Sequence, residues 1–346
     1  MGIEKAMDEH KNGMMTKREV IAKLGPEALL GCLERMLLIR NFEIRAEGAY
    51  LQGHIGGFFH SYIGQEAIQT AVLEAVGPNN WYATSYRCHA LALLLGATPK
   101  ELMAELYGRA TGNARGRGGS MHFYTDRLLG GSGIVGGQVP LATGAAFSIK
   151  YREIVDEIAV CFMGDGAVVQ GAFHESLNLA GLWKLPCIYV VENNLWGMGT
   201  AANRAVAVER IAEAKAPGYG MKGYTIDGTD FFACYAAFEH IHKQMLKDSM
   251  PVIIEAIAER FKGHSVSDPG LYRSKESLKS SMAKDPLLLM KSTLIEEKII
   301  DEEGYKLLDK KMKDVAIEAL EYADKSPWPE VTSLGVDVYA PQTKEL

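Results

Sequence analysis

Two short polar strings carry the strongest chemical signal in the chain. Gly164-Asp165-Gly166 follows the apolar run EIAVCFM, and Asn193-Asn194 follows a second one, CIYVVE. Between them GAFHESLNLAGLW reads as a helix. A strand–helix–strand crossover is almost always right-handed, so both strands run parallel and end on one edge of a sheet. Ligands of such sheets bind at that edge. One carboxylate, Asp165, and one amide oxygen, that of Asn194, are expected to meet there. This donor set suits Mg²⁺, which takes hard oxygen ligands in octahedral geometry and leaves positions for water and phosphate. The main-chain carbonyl of Trp196 is expected as a third protein ligand. Gly164 and Gly166 let the backbone approach closely, and the helix that follows offers free N–H groups to phosphate. GDG alone is often a simple turn, but with NN after the next strand it is specific. A nicotinamide-binding unit is the competing reading, and no strand is followed by G-x-G-x-x-G.

The elements that must position these residues are legible on either side. Residues 1–24 are polar and are expected to form a flexible arm. Pro26 is expected to open a long helix, with Leu30, Leu33, Leu37 and Phe42 at helical spacing. EAIQTAVLEAV predicts a second helix, ended by Gly77-Pro78-Asn79-Asn80. WYATSY reads as a short strand, PKELMAELYGR and LATGAAFSIKYR as helices, and PVIIEAIAER as a later β-rich run. Strands alternating with helices predict an α/β fold, a mostly parallel sheet flanked by helices, with helical N- and C-terminal extensions. The expected organisation is one α/β domain over 25–275, with 276–346 as a helical extension packed on it. Asp285-Pro286 supplies an N-cap and an N1 proline in that extension.

Composition sets outer limits. With 346 residues, 47% apolar and 23% charged, the chain can bury a sizeable core. The net charge of -6 argues against a broad nucleic-acid surface. Apolar stretches such as 90–95 are too short to span a bilayer, and MGIEKAMDEHKNGMM lacks the apolar core of a secretory signal. The five cysteines show no C-x-x-C spacing and are expected to be reduced and buried. These features predict a soluble, cytoplasmic protein with no nucleic-acid or membrane partner. The 36 glycines exceed ordinary usage, and their clusters at 53–57, 112–119, 130–137, 164–166 and 197–199 are expected to serve a ligand site.

GDG…NN resembles the thiamin-diphosphate fingerprint. The strings GRGGSMHF, GGSGIVGGQVPLATG, LWKLPCIYVVENN, GMGT and KGHSVSDPGLYR narrow the resemblance to alpha subunits of the pyruvate dehydrogenase component of the 2-oxoacid dehydrogenase complexes, over about residues 35–340. The resemblance implies the thiamin-diphosphate-binding fold, thiamin diphosphate and Mg²⁺ as cofactors, and pyruvate as substrate. It also implies a beta subunit in an alpha-two, beta-two assembly, and acetyl transfer to a lipoyl domain of the dihydrolipoyl acetyltransferase. Residue by residue, it implies that Asp165, Asn194 and the Trp196 main chain hold Mg²⁺. Tyr86, Arg87, Gly166 and Ala167 would lie at the diphosphate, Gly133 and Val135 would make main-chain cofactor contacts, and His60 and His264 would lie near substrate, His264 also touching cofactor. Trp196 stands where Tyr is usual, and Val168-Val169 replaces a more polar pair.

Each of these residues has a plainer reading. Arg87 could be a surface ion pair, His264 a solvated loop residue, and His60 a core histidine. His54 and His89 are weaker candidates, and His89 reads equally as a helix cap. Arg115 and Arg117, set among glycines, suit either an anion site or ordering of the entrance. Ser265 follows His264 at the place where relatives carry a regulatory phosphoserine. No acid convincingly fits the role beside the cofactor's pyrimidine: Glu66 and Glu175 are of the right type but read as helix residues, and the resemblance assigns that glutamate to the beta subunit. The strings SMHFY, GIVGGQVP and GMGT favour pyruvate over a branched-chain 2-oxoacid or acetoin. A non-catalytic regulatory subunit of the same fold is the more distant alternative.

Overall fold

The computed structural model describes residues 13–336 and Val338. Thr16 opens the first helix with a capping box: its hydroxyl accepts the Glu19 N–H at 3.3 Å, and the Glu19 carboxylate accepts the Thr16 N–H at 2.8 Å. α1 runs Lys17–Leu51 and turns at Gly25, φ 71°, before Pro26. The arm expected over residues 1–24 is therefore helical from Lys17, because its polar composition hid a cap three residues ahead of an acid. Residues 1–12 lie outside the described residues. Leu33, Leu37 and Phe42 are buried as their spacing predicts, while Leu30 is half-buried.

The remaining helices are α2 (Glu66–Val76), α3 (His89–Leu94), α4 (Pro99–Leu106), α5 (Gln138–Tyr151), α6 (Gly171–Trp183), α7 (Ala202–Ala205), α8 (Ile211–Lys215), α9 (Phe231–Asp248), α10 (Lys275–Met282), α11 (Pro286–Glu296) and α12 (Glu302–Lys325). The strands are β1 (Trp81–Ser85), β2 (Leu128–Ser132), β3 (Ala159–Gly164), β4 (Cys187–Asn193), β5 (Trp196–Gly197), β6 (Thr200–Ala201), β7 (Lys222–Asp227) and β8 (Val252–Ile257). Six of them form one parallel sheet in the order β2-β1-β3-β4-β8-β7, and β5 and β6 make a small antiparallel pair.

Period-2 alternation divides the sheet's side chains between two apolar layers. Val160, Phe162, Ile188, Val190 and Ile254 pack with α1, α2 and α9 on one face. Ala159, Cys161, Met163, Cys187, Tyr189, Val191 and Ile253 pack with α5, α6 and α8 on the other. Burial on both faces is why β3 and β4 read as near-continuous apolar runs. α12 packs on α1 and α4, and the Arg40 guanidinium pairs with Asp285, the N-cap of α11, through two bonds of 2.9 Å. All five cysteines are buried and unpaired. No helix among the described residues is long and apolar enough to cross a membrane.

From β1 the chain passes outward to β2, then returns to β3 on β1's other side. That reversal opens a crevice at the carboxyl ends of β1 and β3, the usual ligand position in such sheets.

Candidate active site

Four strands deliver the site. β1 leads into Tyr86 and Arg87, β3 into Asp165, β4 into Asn194, and β8 into the loop carrying Arg260 and His264. These residues, with Val135, Gly166, Ala167 and Trp196, line one cavity of about 320 Å³ at the carboxyl edge. Of the residues singled out in the sequence, Gly133 and His60 are not among those lining the cavity. Gly133 lies on the turn after β2, two residues before Val135, and buried His60 packs against the rings of Tyr86 and His264.

Where the sequence places a metal, the described residues leave two oxygens bare. Asp165 is 2% exposed, and its Oδ2 is buried with no hydrogen-bond partner among the described residues. Burial pushes its carboxyl up to about 6. Asn194 is also buried, its Nδ2 donates to Gln65 Oε1 at 3.1 Å, and its Oδ1 has no partner among the described residues. Its neighbour Asn193 is spent on structure, donating to Glu255 at 2.7 Å and accepting the Leu195 N–H at 2.9 Å. Buried polar atoms are normally satisfied, so two orphaned oxygens on one cavity mark a place for a positive ligand. A hard divalent cation fits this donor set. The Trp196 carbonyl accepts from Arg260 at 3.4 Å, and Arg260 also donates to Met198 O at 2.6 Å, which holds the 196–198 backbone over the cavity.

Two guanidinium groups supply positive charge. Arg87 and Arg260 are 5% and 2% exposed, yet neither has a carboxylate at ion-pair distance among the described residues. Arg87 donates to Ser61 O and, at 2.8 Å, to His264 O. It thereby ties the His60 segment to the His264 loop. Arg260 reaches Tyr272 Oη at 2.5 Å and His264 Nδ1 at 3.3 Å. Buried cations held only by neutral groups suit an anionic ligand.

Tyr86, His60 and His264 form a ring cluster. Their centroids lie 4.3 Å (His60–Tyr86), 4.9 Å (His60–His264) and 5.5 Å (Tyr86–His264) apart. Burial, and after it the Arg87 charge, pushes the His60 imidazole down to about 2. The same causes, with Arg260 added, bring His264 down to about 4. Both rings are therefore neutral at physiological pH. The His264 loop is fastened: the His264 N–H donates to Asp268 at 2.6 Å, Tyr272 donates to Asp268 at 2.6 Å, and Val266 N–H donates to Phe59 O at 2.9 Å. Ser265 is 6% exposed and its hydroxyl pairs with Ser267 at 2.9 Å.

Other expectations resolve differently. His89 is fully buried and is no cap: its Nδ1 faces the Glu43 carboxylate at 3.0 Å and its Nε2 faces Ser120 O at 2.8 Å. His54 stacks on Tyr107 at 5.4 Å, away from the cavity. Glu66 is bound by Arg40 at 2.5 Å and by Gly64 N–H at 3.0 Å, and Glu175 is exposed on α6. The 112–119 glycine loop does hold an anion, but an internal one. Buried Glu105 accepts the N–H groups of Ala114, Gly116, Gly118 and Gly119 at 2.8, 2.8, 2.6 and 3.2 Å. Arg117 donates to Ser333 O at 2.5 Å and Val336 O at 2.8 Å, pinning the C-terminal turn.

The sequence reading missed Gln65, Glu192 and Arg260, all on the cavity. Glu192 is held by Tyr62 and, at 3.1 Å, by Gln69, and burial pushes its carboxyl up to about 7. The signal for Glu192 and Arg260 was a charged residue directly at, or three residues past, the end of an apolar strand. Gln65 carried only the signal of a polar residue opening a helix after Gly64.

A sequence model of the family described as "Dehydrogenase E1 component" matches residues 34–332. The chain is similar to the "Pyruvate dehydrogenase E1 component subunit alpha" of Rickettsia conorii, 40% identical over 315 residues that cover 90% of this chain and 96% of that relative. It is also 40% identical over 321 residues to the protein of that name from Rhizobium meliloti, covering 92% of each. Against the "Pyruvate dehydrogenase E1 component subunit alpha-3, chloroplastic" of Oryza sativa subsp. japonica it is 38% identical over 324 residues, 91% of this chain and 76% of that one. The carboxyl-edge cavity, the match across nearly the whole chain and these relatives lead to one conclusion: the chain belongs to the dehydrogenase E1 component family.

Proposed function

We propose that this chain is the alpha subunit of a pyruvate dehydrogenase that uses thiamin diphosphate and Mg²⁺. It decarboxylates pyruvate oxidatively and passes the acetyl group to a lipoyl domain of a dihydrolipoyl acetyltransferase. The observation that carries the reading is the meeting of bare Asp165 and Asn194 oxygens with two buried, carboxylate-free guanidinium groups in one cavity. A divalent cation satisfies the oxygens, and a diphosphate satisfies the guanidinium groups. The names of relatives at 38–40% identity support pyruvate over a branched-chain 2-oxoacid or acetoin.

In this reading Asp165, Asn194 and the Trp196 carbonyl hold the metal. Arg87, Tyr86 and the Gly166 and Ala167 amides bind the diphosphate, where anion contact with backbone N–H and guanidinium groups is strongest. Val135 lines the wall after β2, and Gly133 lies on the turn that leads to it. Bound thiamin diphosphate supplies the carbon nucleophile and the electron sink that decarboxylation of a 2-oxoacid requires. His264, neutral near pH 7, lines the cavity where it can donate or accept a hydrogen bond near substrate, and His60, also neutral, packs against its ring. Neither Glu66 nor Glu175 lines the cavity, and the resemblance assigns the acid beside the cofactor's pyrimidine to a beta subunit. The working enzyme is then an alpha-two, beta-two assembly in the cytoplasm, with residues 25–275 as cofactor domain and 276–346 as its helical extension.

The test is to co-purify the chain with its native partner and assay pyruvate, acetoin and a branched-chain 2-oxoacid in parallel. Pyruvate is expected to have the highest kcat/KM. Higher efficiency with either competitor would transfer the assignment to that substrate.

A further inference from the structure

The side chain of Asn194 can serve a cation only if its oxygen, not its NH₂ group, faces the cavity. An isolated asparagine amide has little preference between the two orientations, because O and N are nearly the same size. One contact decides it here: Asn194 Nδ2 donates to Gln65 Oε1 at 3.1 Å, which leaves Oδ1 without a protein partner. Gln65 is 1% exposed and lines the same cavity. Its own Nε2 is buried with no hydrogen-bond partner among the described residues.

The backbone that carries Gln65 is fixed from behind. Gly64 sits at φ 101°, and a Cβ there would meet Glu259 O at 2.3 Å, so the turn packs directly on the segment leaving β8. Phe261 N–H donates to Ile63 O at 3.4 Å, and Gln65 N–H donates to Tyr62 O at 3.1 Å. A glutamine on such a support has little freedom to withdraw from Asn194. Its placement at the start of α2 explains why no strand-end or metal motif announces it.

We propose that Gln65 is a positioning residue for the metal site. Its Oε1 holds the Asn194 amide with the oxygen turned to the cation, and its free Nε2 donates to an anionic oxygen of the ligand that the cation carries. The proposal rests on the reading of the cavity as a Mg²⁺–diphosphate site. Partners of metal ligands of this kind are worth about 10- to 100-fold in metal affinity.

The two functions of the amide separate by substitution. Gln65→Leu removes both. Gln65→Glu keeps an acceptor for Asn194 Nδ2 and removes the donor. The measurement is isothermal titration of thiamin diphosphate into the co-purified complex at graded Mg²⁺, with the melting temperature of the cofactor-free complex as control. Gln65→Leu is expected to raise the half-saturating Mg²⁺ by about tenfold or more with the melting temperature unchanged. Gln65→Glu is expected to restore the Mg²⁺ dependence while still binding the diphosphate more weakly than wild type. Should Gln65→Leu fail to fold, Gln65→Met, of nearly equal length, carries the same comparison. If wild type shows Mg²⁺-dependent binding and Gln65→Leu matches it within about twofold, or Gln65→Glu is no better than Gln65→Leu, the role of Gln65 is wrong. If wild type itself shows no Mg²⁺-dependent binding, the reading of the cavity fails first.

Discussion

Asp165 is poised at a cost to the protein that holds it. A buried carboxylate oxygen with no donor destabilises the fold on the order of 1 kcal/mol. Asp165→Asn is therefore expected to raise the melting temperature of the cofactor-free chain while abolishing Mg²⁺-dependent ligand binding. Calorimetry on the two proteins checks both halves, and a lowered melting temperature would mean that Asp165 has a structural partner. His264 makes a second prediction. Its imidazole lies at about 4 in the folded chain against about 6.5 in an unfolded one, so the unfolded state takes up the proton first. Stability is whole above about pH 6.5 and falls as pH drops from there toward 4. The acid loss should be shallower in His264→Gln, as measured by denaturant unfolding at pH 7, 5.5 and 4.5, and identical slopes would contradict the shift. Asp165 and Asn194 were legible in the sequence because each ends an apolar strand, and strand ends share an edge. Gln65 and Arg260 were not, because their places depend on how a turn and a loop from distant parts of the chain fold back over that edge.

The elements show where composition misleads. The glycines of 112–119 suggested a ligand site, and their amides do bind an anion, but the anion is Glu105 of α4. A glycine-rich loop announces free N–H groups and says nothing about who brings the negative charge. Glu105→Gln leaves one amide oxygen for four donors. It is expected to destabilise the chain by about 2–3 kcal/mol and to speed hydrogen exchange at Ala114, Gly116, Gly118 and Gly119. Unchanged protection at these amides would overturn the role of Glu105. β3, β4 and the crossover helix α6 were readable from period and length. β2 and β7 are edge strands: LLGGS carries two glycines and each strand pairs on one side only, so neither holds the apolar run that betrays a central strand. The helical start at Lys17 was hidden for a related reason, since a capping box is made of polar residues.

Among the described residues, the carboxyl-edge cavity holds no glutamate free to serve the pyrimidine of the proposed cofactor. Among the described residues Glu192 is the glutamate on the cavity, and it is already bound by Tyr62 and Gln69. The purified chain alone is accordingly expected to show no more than background decarboxylation of pyruvate, and addition of its partner chain to restore it. Substantial turnover by the single chain would place the missing acid within it. In the proposed function Asp165 and Asn194 hold a cation that carries a diphosphate. The most direct test is titration of thiamin diphosphate into the co-purified complex with Mg²⁺, with chelator, and in Asp165→Ala. Binding that requires Mg²⁺ and disappears in Asp165→Ala is the result predicted. Binding of equal strength without the metal, or in the variant, would contradict it.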